Sequence, residues 1–547
     1  MFGTRSLAFP LAVPLSGVIL AVAAPLWAQT AIEPRTVPEA TDYASTSREA
    51  DVARFCDALR GLPHADRITT RVVGKTHAGR DQLLAHIALP DPAPAGRLRA
   101  LVIGNIHAGE IEGKEALQVL LREFANGEHE DLLQRLELWF LPVYNVDGNE
   151  AFGLKNRAGQ NGPAEVGERP NAQGLDLNRD FVKVDAPETR TLLGLFVTLD
   201  PHLFVDLHTT NGSYHGYHLT YAPSLSPNVD RDVARLTRAV LDDATATMQK
   251  THGFAAFDYG NFETRDWDGS GAPESATGVR GWYTYDHRAR YGVNYFGLRN
   301  RLGILSEAYS YADFATRIAA TRAFVLSLLQ SLAKRADEVR RTCKAADQAL
   351  VQADAPRWFG FDTTFGEPEE LPVLVGEVER VEGQNGAPPR FARKGDGTAE
   401  RLPVVRSFRA RQQRALPDAW AILAPSPDVI ARLQQHGIVF STLDAPQQVA
   451  AERFAVTAKK KPKRPYQGHQ ELVLAGLWQA ATSIKLPAGS VLVDARQPLA
   501  RLAAQLLEAE SEDSLSSWNF FEASTDDIYP VLRITGSPAM PGRRAGQ

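Results

Sequence analysis

Residues 99–124, RALVIGNIHAGEIEGKEALQVLLREF, hold a strand, a turn and a helix in direct succession. The apolar run near 99–105 has the length of a buried strand, and from about Ile111 the apolar residues recur at helical spacing. A strand that feeds straight into a helix implies an α/β layer fold. The turn carries His107 and Glu110, at a place where side chains converge above the carboxyl end of a sheet. A His-x-x-Glu pair is common by chance. Glu110 also has a plain alternative as a carboxylate facing the dipole of the helix it precedes.

Outward from this stretch the alternation continues. On the N-terminal side, 46–61 has helical character, and VVGKTHAGRDQLLAHIAL (72–89) alternates apolar and polar residues about a Gly79 turn, as a hairpin does. Downstream, ELWFLPVYNVDG (137–148) reads as a strand, 153–175 as a polar Gly- and Asn-rich loop, 187–198 as a helix and HLFVDLHTT (202–210) as a buried strand. A long amphipathic helix spans 229–250, LGILSEAYS (302–310) is the last strand, and a helix over 312–342 closes the domain. The stretch 257–300, rich in Gly, Tyr, Arg and Asp, is too polar for a core and long for a connection, which suits a functional lid. The expected fold is α/β: a mixed central sheet flanked by helices over residues 40–345. A smaller α+β or β-rich domain of short strand-like runs, prolines and charged turns follows at 356–538.

At 547 residues the chain exceeds one ordinary core, in keeping with two domains. Apolar residues make up 44% and charged residues 23%, a globular composition, and a formal charge of -5 offers no basic field for nucleic acid. The basic run KKKPKRP at 459–465 reads as a solvated loop because no amphipathic helix accompanies it; a polyanion or membrane-surface patch is the alternative. Residues 1–28 read as a signal peptide, with Arg5 at the start, an apolar stretch to about Val22 and small residues near Ala28. Pro10, Pro14, Gly17 and Pro25 interrupt that stretch as a membrane anchor. The chain is thus expected to be exported, periplasmic or secreted, with no stable membrane insertion after the leader is removed. Cys56 and Cys343 fit either one bridge or two buried thiols, and nothing assigns an oligomeric state.

His208 follows the apolar run LFVD at a strand end, at the same sheet edge that delivers His107 and Glu110. A His2Glu set leaves a fourth zinc position open, the mark of a catalytic site. Asp206, two residues earlier, is either an acceptor behind the ligand histidine or a plain sheet-edge charge. Hydrolysis of a peptide bond also needs a group to move a proton. Glu307 ends an otherwise apolar strand, where an ionised group faces either a site or a partner such as Arg299 or Arg301.

With these residues in place the chain resembles the zinc carboxypeptidase family over roughly residues 70–335. GNIHAGEIEGKEA is similar to the family's first metal motif, VDLHTT to the strand with its third ligand, and LSEAYS to the strand with its catalytic glutamate. ERPNAQGLDLNRDF resembles the segment in which an arginine precedes Asp-Leu-Asn-Arg. The resemblance implies one Zn(2+) per chain on His107, Glu110 and His208, Glu307 as catalytic carboxylate, and Asn178 and Arg179 on the substrate's terminal carboxylate. It also implies Arg169 as the group that polarises the scissile carbonyl, with Arg157 competing for that role. A planar guanidinium does match a carboxylate bidentately, and a cation does stabilise a developing oxyanion. The family's mobile tyrosine best matches Tyr295 by its spacing to Glu307, with Tyr285 second and Tyr283 and Tyr291 also in the stretch. The activity implied is removal of the C-terminal residue from a peptide with a free C-terminus. A zinc amidohydrolase of cell-wall stem peptides or acylated amino acids is the alternative, and an inactive peptidase-like binding protein a further one.

Overall fold

The computed structural model describes residues 1, 3, 33–90, 96–210, 212–262, 280–352, 357–383, 386–521, 528–536 and 544–545. The expected leader at 1–28 lies outside them but for Met1 and Gly3, as does 263–279 of the expected lid. Among the described residues ten strands precede residue 310: β1 (Ile68–Lys75), β2 (Asp81–Ile87), β3 (Leu98–Gly104), β4 (Leu136–Leu141), β5 (Leu203–Thr210), β6 (Leu219–Pro223), β7 (Ala256–Asp258), β8 (Asn261–Phe262), β9 (Trp282–Tyr283) and β10 (Leu302–Tyr309). Eight of them form one sheet in the order β1-β2-β4-β3-β5-β10-β6-β7. β4, β3, β5 and β10 pair in parallel, whereas β1 with β2, β2 with β4 and β10 with β6 pair antiparallel, so the sheet is mixed.

The parallel strands are apolar on both faces because both faces are covered. Ala100 and Val102 of β3 face helices Glu112–Asn126, Arg231–His252 and Phe314–Lys334 through Leu117, Leu121, Val240 and Phe324. Leu101 and Ile103 point the other way, onto Leu192, Leu193 and Phe196 of helix Pro187–Leu199. This second layer runs on into the C-terminal part: Val429 and Leu433 of helix Pro427–Gln435, together with Trp420 and Trp518, belong to the same core as Phe181, Phe196 and Tyr295. Pro34–Gln547 accordingly form one compact unit. The C-terminal part is built from β11 (Trp358–Phe365), the long hairpin β12 (Glu369–Val381) and β13 (Arg390–Val405), β14 (Phe408–Ala415), and a seven-stranded sheet over residues 419–545.

Two expectations need correction. Within 257–300, Trp282, Tyr283, Val293 and Phe296 are buried, not part of a solvent-exposed loop. β9 pairs with β13, Trp282 opposite Val404 and Tyr283 opposite Val405, whereas Phe296 packs on Phe196 and Phe204, so the partners lie far along the chain in both directions where no local window reaches them. The helix expected over 312–342 is two, Phe314–Lys334 and Ala336–Val351, broken at Arg335 (φ -102, ψ 16), whose guanidinium is drawn to Asp243 at 2.8 Å. Cys56 and Cys343 are both buried free thiols, each pushed up to about 12 by burial. Residues 461–465 of the basic run are exposed.

Asp185 ties the two parts together. Its carboxylate meets His469 Nε2 at 2.7 Å, Arg432 at 2.9 Å and Lys183 Nζ at 3.1 Å. Burial works to raise this carboxyl, but the His469 hydrogen bond and the Lys183 charge prevail and bring it down to about 2. The unfolded chain returns it to about 3.9. A depressed folded-state value stabilises the protein above the unfolded value and is lost as pH falls through the folded one, here over about pH 5 to 2. Asp185→Asn is therefore expected to cost on the order of 2 kcal/mol at neutral pH and to flatten that acid limb. Denaturant unfolding between pH 7 and 2 checks this; parallel curves for the two proteins would remove Asp185 from the account.

Candidate metal centre and active site

β3 ends at Gly104, and Asn105 turns the chain with φ +66, a left-handed conformation that Asn tolerates. The Asn105 side-chain amide donates to the carbonyls of Ala108 (3.0 Å) and Glu110 (3.1 Å), and Glu110 N to that of His107 (2.9 Å). The turn is thus closed on itself, with His107 and Glu110 on one side. A Cβ at Gly109 would fall 2.4 Å from Arg157 Cγ and 2.8 Å from the Gly167 carbonyl, so only glycine admits the neighbouring loop.

His208 arrives on β5, next to Glu307 in the register of β5 and β10. The three expected ligands converge. His107 Nδ1 and His208 Nδ1 lie 3.0 Å from the two Glu110 carboxylate oxygens and 3.2 Å from each other. These separations approach the roughly 3.3 Å edges of a tetrahedron whose bonds are about 2.0–2.1 Å, as zinc requires. The far nitrogens are backed by acid: His107 Nε2 meets Asp176 Oδ1 at 3.1 Å, and His208 Nε2 meets Asp206 Oδ2 at 2.9 Å. The second contact is an ion-pair approach, too bent for a formed hydrogen bond. An acid behind each ring favours a proton on Nε2 and leaves the Nδ1 lone pair facing the centre. The residues fit the metal that the sequence implies.

Charge follows the same plan. Burial works to raise Glu110, yet the charges of His107 and Arg157 beside it hold it well below the usual carboxylate range. Asp176 is likewise opposed by burial and held low by His107, Arg179 and Arg169. Burial pushes Glu307 up to about 8, opposed by His208 and reinforced by Glu110. Neither arginine that could have neutralised Glu307 does so: Arg301 pairs with Asp200 and Asp347, and Arg299 donates to the His436 carbonyl.

One cavity of about 340 Å³ is lined by His107, Glu110, His208, Glu307, Arg169, Asn178 and Arg179, together with Arg157, Thr209, Thr210, Leu305, Tyr259, Tyr285 and Tyr291. Arg169 spans Nε and Nη2 onto Asp176 at 3.0 and 2.9 Å; Arg157 is committed to Glu110 (3.2 Å) and the Thr209 carbonyl (3.0 Å). Asn178 Oδ1 accepts from Gly292 N at 3.0 Å, and the Arg179 guanidinium lies 4.1 Å over the Tyr291 ring.

Tyr295 is not brought to this cavity. It is fully buried, its hydroxyl 2.9 Å from His436 Nδ1 and its ring among Phe181 and Phe196. Tyr283 is also buried away from the cavity, against Phe365. Tyr259, Tyr285 and Tyr291 are the tyrosines of the 257–300 stretch that reach it, the last two with ring centres 5.4 Å apart. Sequence reasoning missed Asp176 and Tyr259. Asp176 sits inside the quoted Asp-Leu-Asn-Arg segment, two residues before Asn178, and that adjacency was the available signal.

A His2Glu cluster facing a cavity beside a buried carboxylate is the equipment of a metal-dependent hydrolase. Residues 53–298 match the family model described as zinc carboxypeptidase, ending just short of Glu307. The chain carries a domain of that family and is a metallocarboxypeptidase, a hydrolase of peptide bonds. Among curated proteins it is 25% identical over 457 residues to "Carboxypeptidase 2" of Trichophyton equinum, covering 80% of this chain and 77% of that protein. It is 34% identical over 119 residues to "Carboxypeptidase Z" of Homo sapiens, 20% of this chain and 18% of that one. Among solved structures, a metallo-carboxypeptidase from Burkholderia cenocepacia aligns at 16% identity with a TM-score of 0.41, over 53% of this chain and 71% of that one.

Proposed function

We propose that this enzyme releases the C-terminal residue from peptides, using one zinc per chain held by His107, Glu110 and His208. The observation that carries the reading is a single cavity with a proton-moving carboxylate, Glu307, beside His208 and a cation, Arg179, among its walls. Zinc in this ligand set supplies Lewis acidity at neutral pH. Asn178 and Arg179 receive the terminal carboxylate, which sets the last peptide bond over the ligand set. Glu307 takes a proton from the attacking water as its oxygen bonds to the scissile carbonyl carbon, and Arg169 offsets the charge that builds on the carbonyl oxygen. The same proton passes to the amide nitrogen, the C–N bond breaks, and the products are a shortened peptide and a free amino acid.

Residues 40–345 serve as the catalytic part and 356–538 as the ancillary part in this reading. The leader at 1–28 supports export to the periplasm or beyond; among the described residues no helix is long and apolar enough to cross a membrane.

The test is a pair of peptides alike but for C-terminal amidation. Loss of the carboxylate is expected to lower kcat/KM by at least about a hundredfold, since a charged hydrogen-bonding partner is left without its match. Equal turnover of the two peptides would remove the exopeptidase reading.

A further inference from the structure

Strands Phe454–Lys460 and Val473–Trp478 pair antiparallel as a ribbon of their own, apart from the larger sheets. One face of the ribbon is spent on the core, where Phe454, Val456, Leu472 and Leu474 join the layer that holds Trp420 and Trp518. A ribbon covered on one side ordinarily turns polar residues outward. This one does not. Its outer positions on the second strand are Val473, Ala475 and Leu477, and opposite them in the register stand Lys460, Ala458 and Ala455. Leu477 is 71% exposed and Val473 60%, more than any other large apolar side chain among the described residues apart from Met1. Apolar side chains left bare together on one face mark a surface that meets a partner.

The connection that closes the ribbon carries the basic run, and Lys460, Lys461, Lys463 and Arg464 are all exposed at its tip. The acids at either end, Glu452 and Glu471, are answered by Arg533 and Arg290. The chain as a whole carries a formal charge of -5, so these cations are a local concentration against the overall sign. Their loop is pinned: the Gln470 side-chain amide donates to the Pro462 carbonyl, and His469 Nε2 holds Asp185 at 2.7 Å. In sequence the run lacks an amphipathic helix, but the fold sets an amphipathic ribbon beside it. A soluble acidic polymer would answer the lysines and leave Val473 and Leu477 in water. A second copy of the chain would cover the apolar side chains but bring its own cations with them. A bilayer with anionic headgroups answers both at once.

We propose that the outer face of this ribbon, with the basic connection at its tip, is a docking surface for an anionic lipid bilayer. Val473 and Leu477 enter the headgroup boundary, and Lys460, Lys461, Lys463 and Arg464 meet the lipid phosphates. The contact lies on the bilayer and does not cross it. It stands independently of the carboxypeptidase reading, because none of these residues lines the cavity.

The experiment is co-sedimentation with vesicles of phosphatidylcholine, alone or in equal parts with phosphatidylglycerol. It uses the chain from Pro34, which forms one compact unit without the apolar leader. The wild type should sediment with the anionic vesicles, less so as salt rises, and not with the neutral ones. A basic side chain at an anionic surface multiplies binding about fivefold, so Lys460→Gln, Lys461→Gln and Lys463→Gln together should weaken it about a hundredfold. Val473→Ser with Leu477→Ser should weaken it about tenfold, and hydrolysis of a soluble peptide should be the same in all three proteins. The proposal is overturned if the wild type ignores the anionic vesicles, binds both kinds alike, or is weakened by neither set of changes. Binding to soluble dextran sulfate as tight as to the vesicles, and untouched by the serine pair, would make the partner a polyanion and overturn it too. So would a dimer in sedimentation equilibrium that the serine pair dissolves, since the face would then belong to a second copy.

Discussion

Glu307→Gln is expected to lower kcat on a free C-terminal peptide by about a thousandfold, within the range that a positioned acid–base group contributes, while the protein keeps its zinc. Glutamine preserves the shape of the side chain on β10 but cannot take the proton from water or return it to the departing amine. Glu307 is outside the ligand set formed by His107, Glu110 and His208, so metal content should not change. The strand should not change either, because Leu305 and Ala308 on either side remain buried in their registers with β5 and β6. Single-turnover kinetics and metal analysis on the same sample separate the two effects. A variant that retained zinc and turned over within tenfold of the wild type would show that some other group moves the proton.

The second large effect is at the centre itself. His208→Ala takes away one of three ligands and is expected to reduce zinc affinity and activity below detection at stoichiometric metal. Chelation of the wild type should give the same loss, reversed by added zinc, which should not rescue the variant. The substitution also removes the imidazole that separates two buried acids, Glu110 and Asp206. Breaking a buried ion pair from one side costs about 3–5 kcal/mol, so the metal-free variant should unfold more easily than the metal-free wild type. Equal zinc content in the two proteins would exclude His208 as a ligand.

The parts of this site that could be read from the chain are those whose signal is local. A strand shows in a few apolar residues, its end shows in the polar residue that follows, and His107, His208 and Glu307 all lie at or near such ends. Tyr295 shows the limit of counting. Spacing to Glu307 selects a residue number, whereas the short helix Gly292–Gly297 decides which way a side chain faces. Tyr291 precedes that helix in extended conformation and lies under Arg179; Tyr295, one turn on, faces Phe196. Gln467 was illegible for a different reason. Its side-chain oxygen accepts from the Asp176 backbone N at 2.8 Å across a separation of 291 positions, with no pattern at either end to announce the meeting. The burial of Trp282 against Val404 has the same cause.

The core that joins Phe181 and Phe196 to Val429, Leu433 and Trp518 has a consequence for how the molecule comes into being. A nascent chain can lay down β1 to β10 early, but one side of that sheet then stays bare until residues far beyond them have emerged. Contacts this distant in sequence slow folding and prolong the exposure of apolar surface. Competence thus waits for residues 429–518: a peptidase whose late segments close its own first layer is idle until they have emerged.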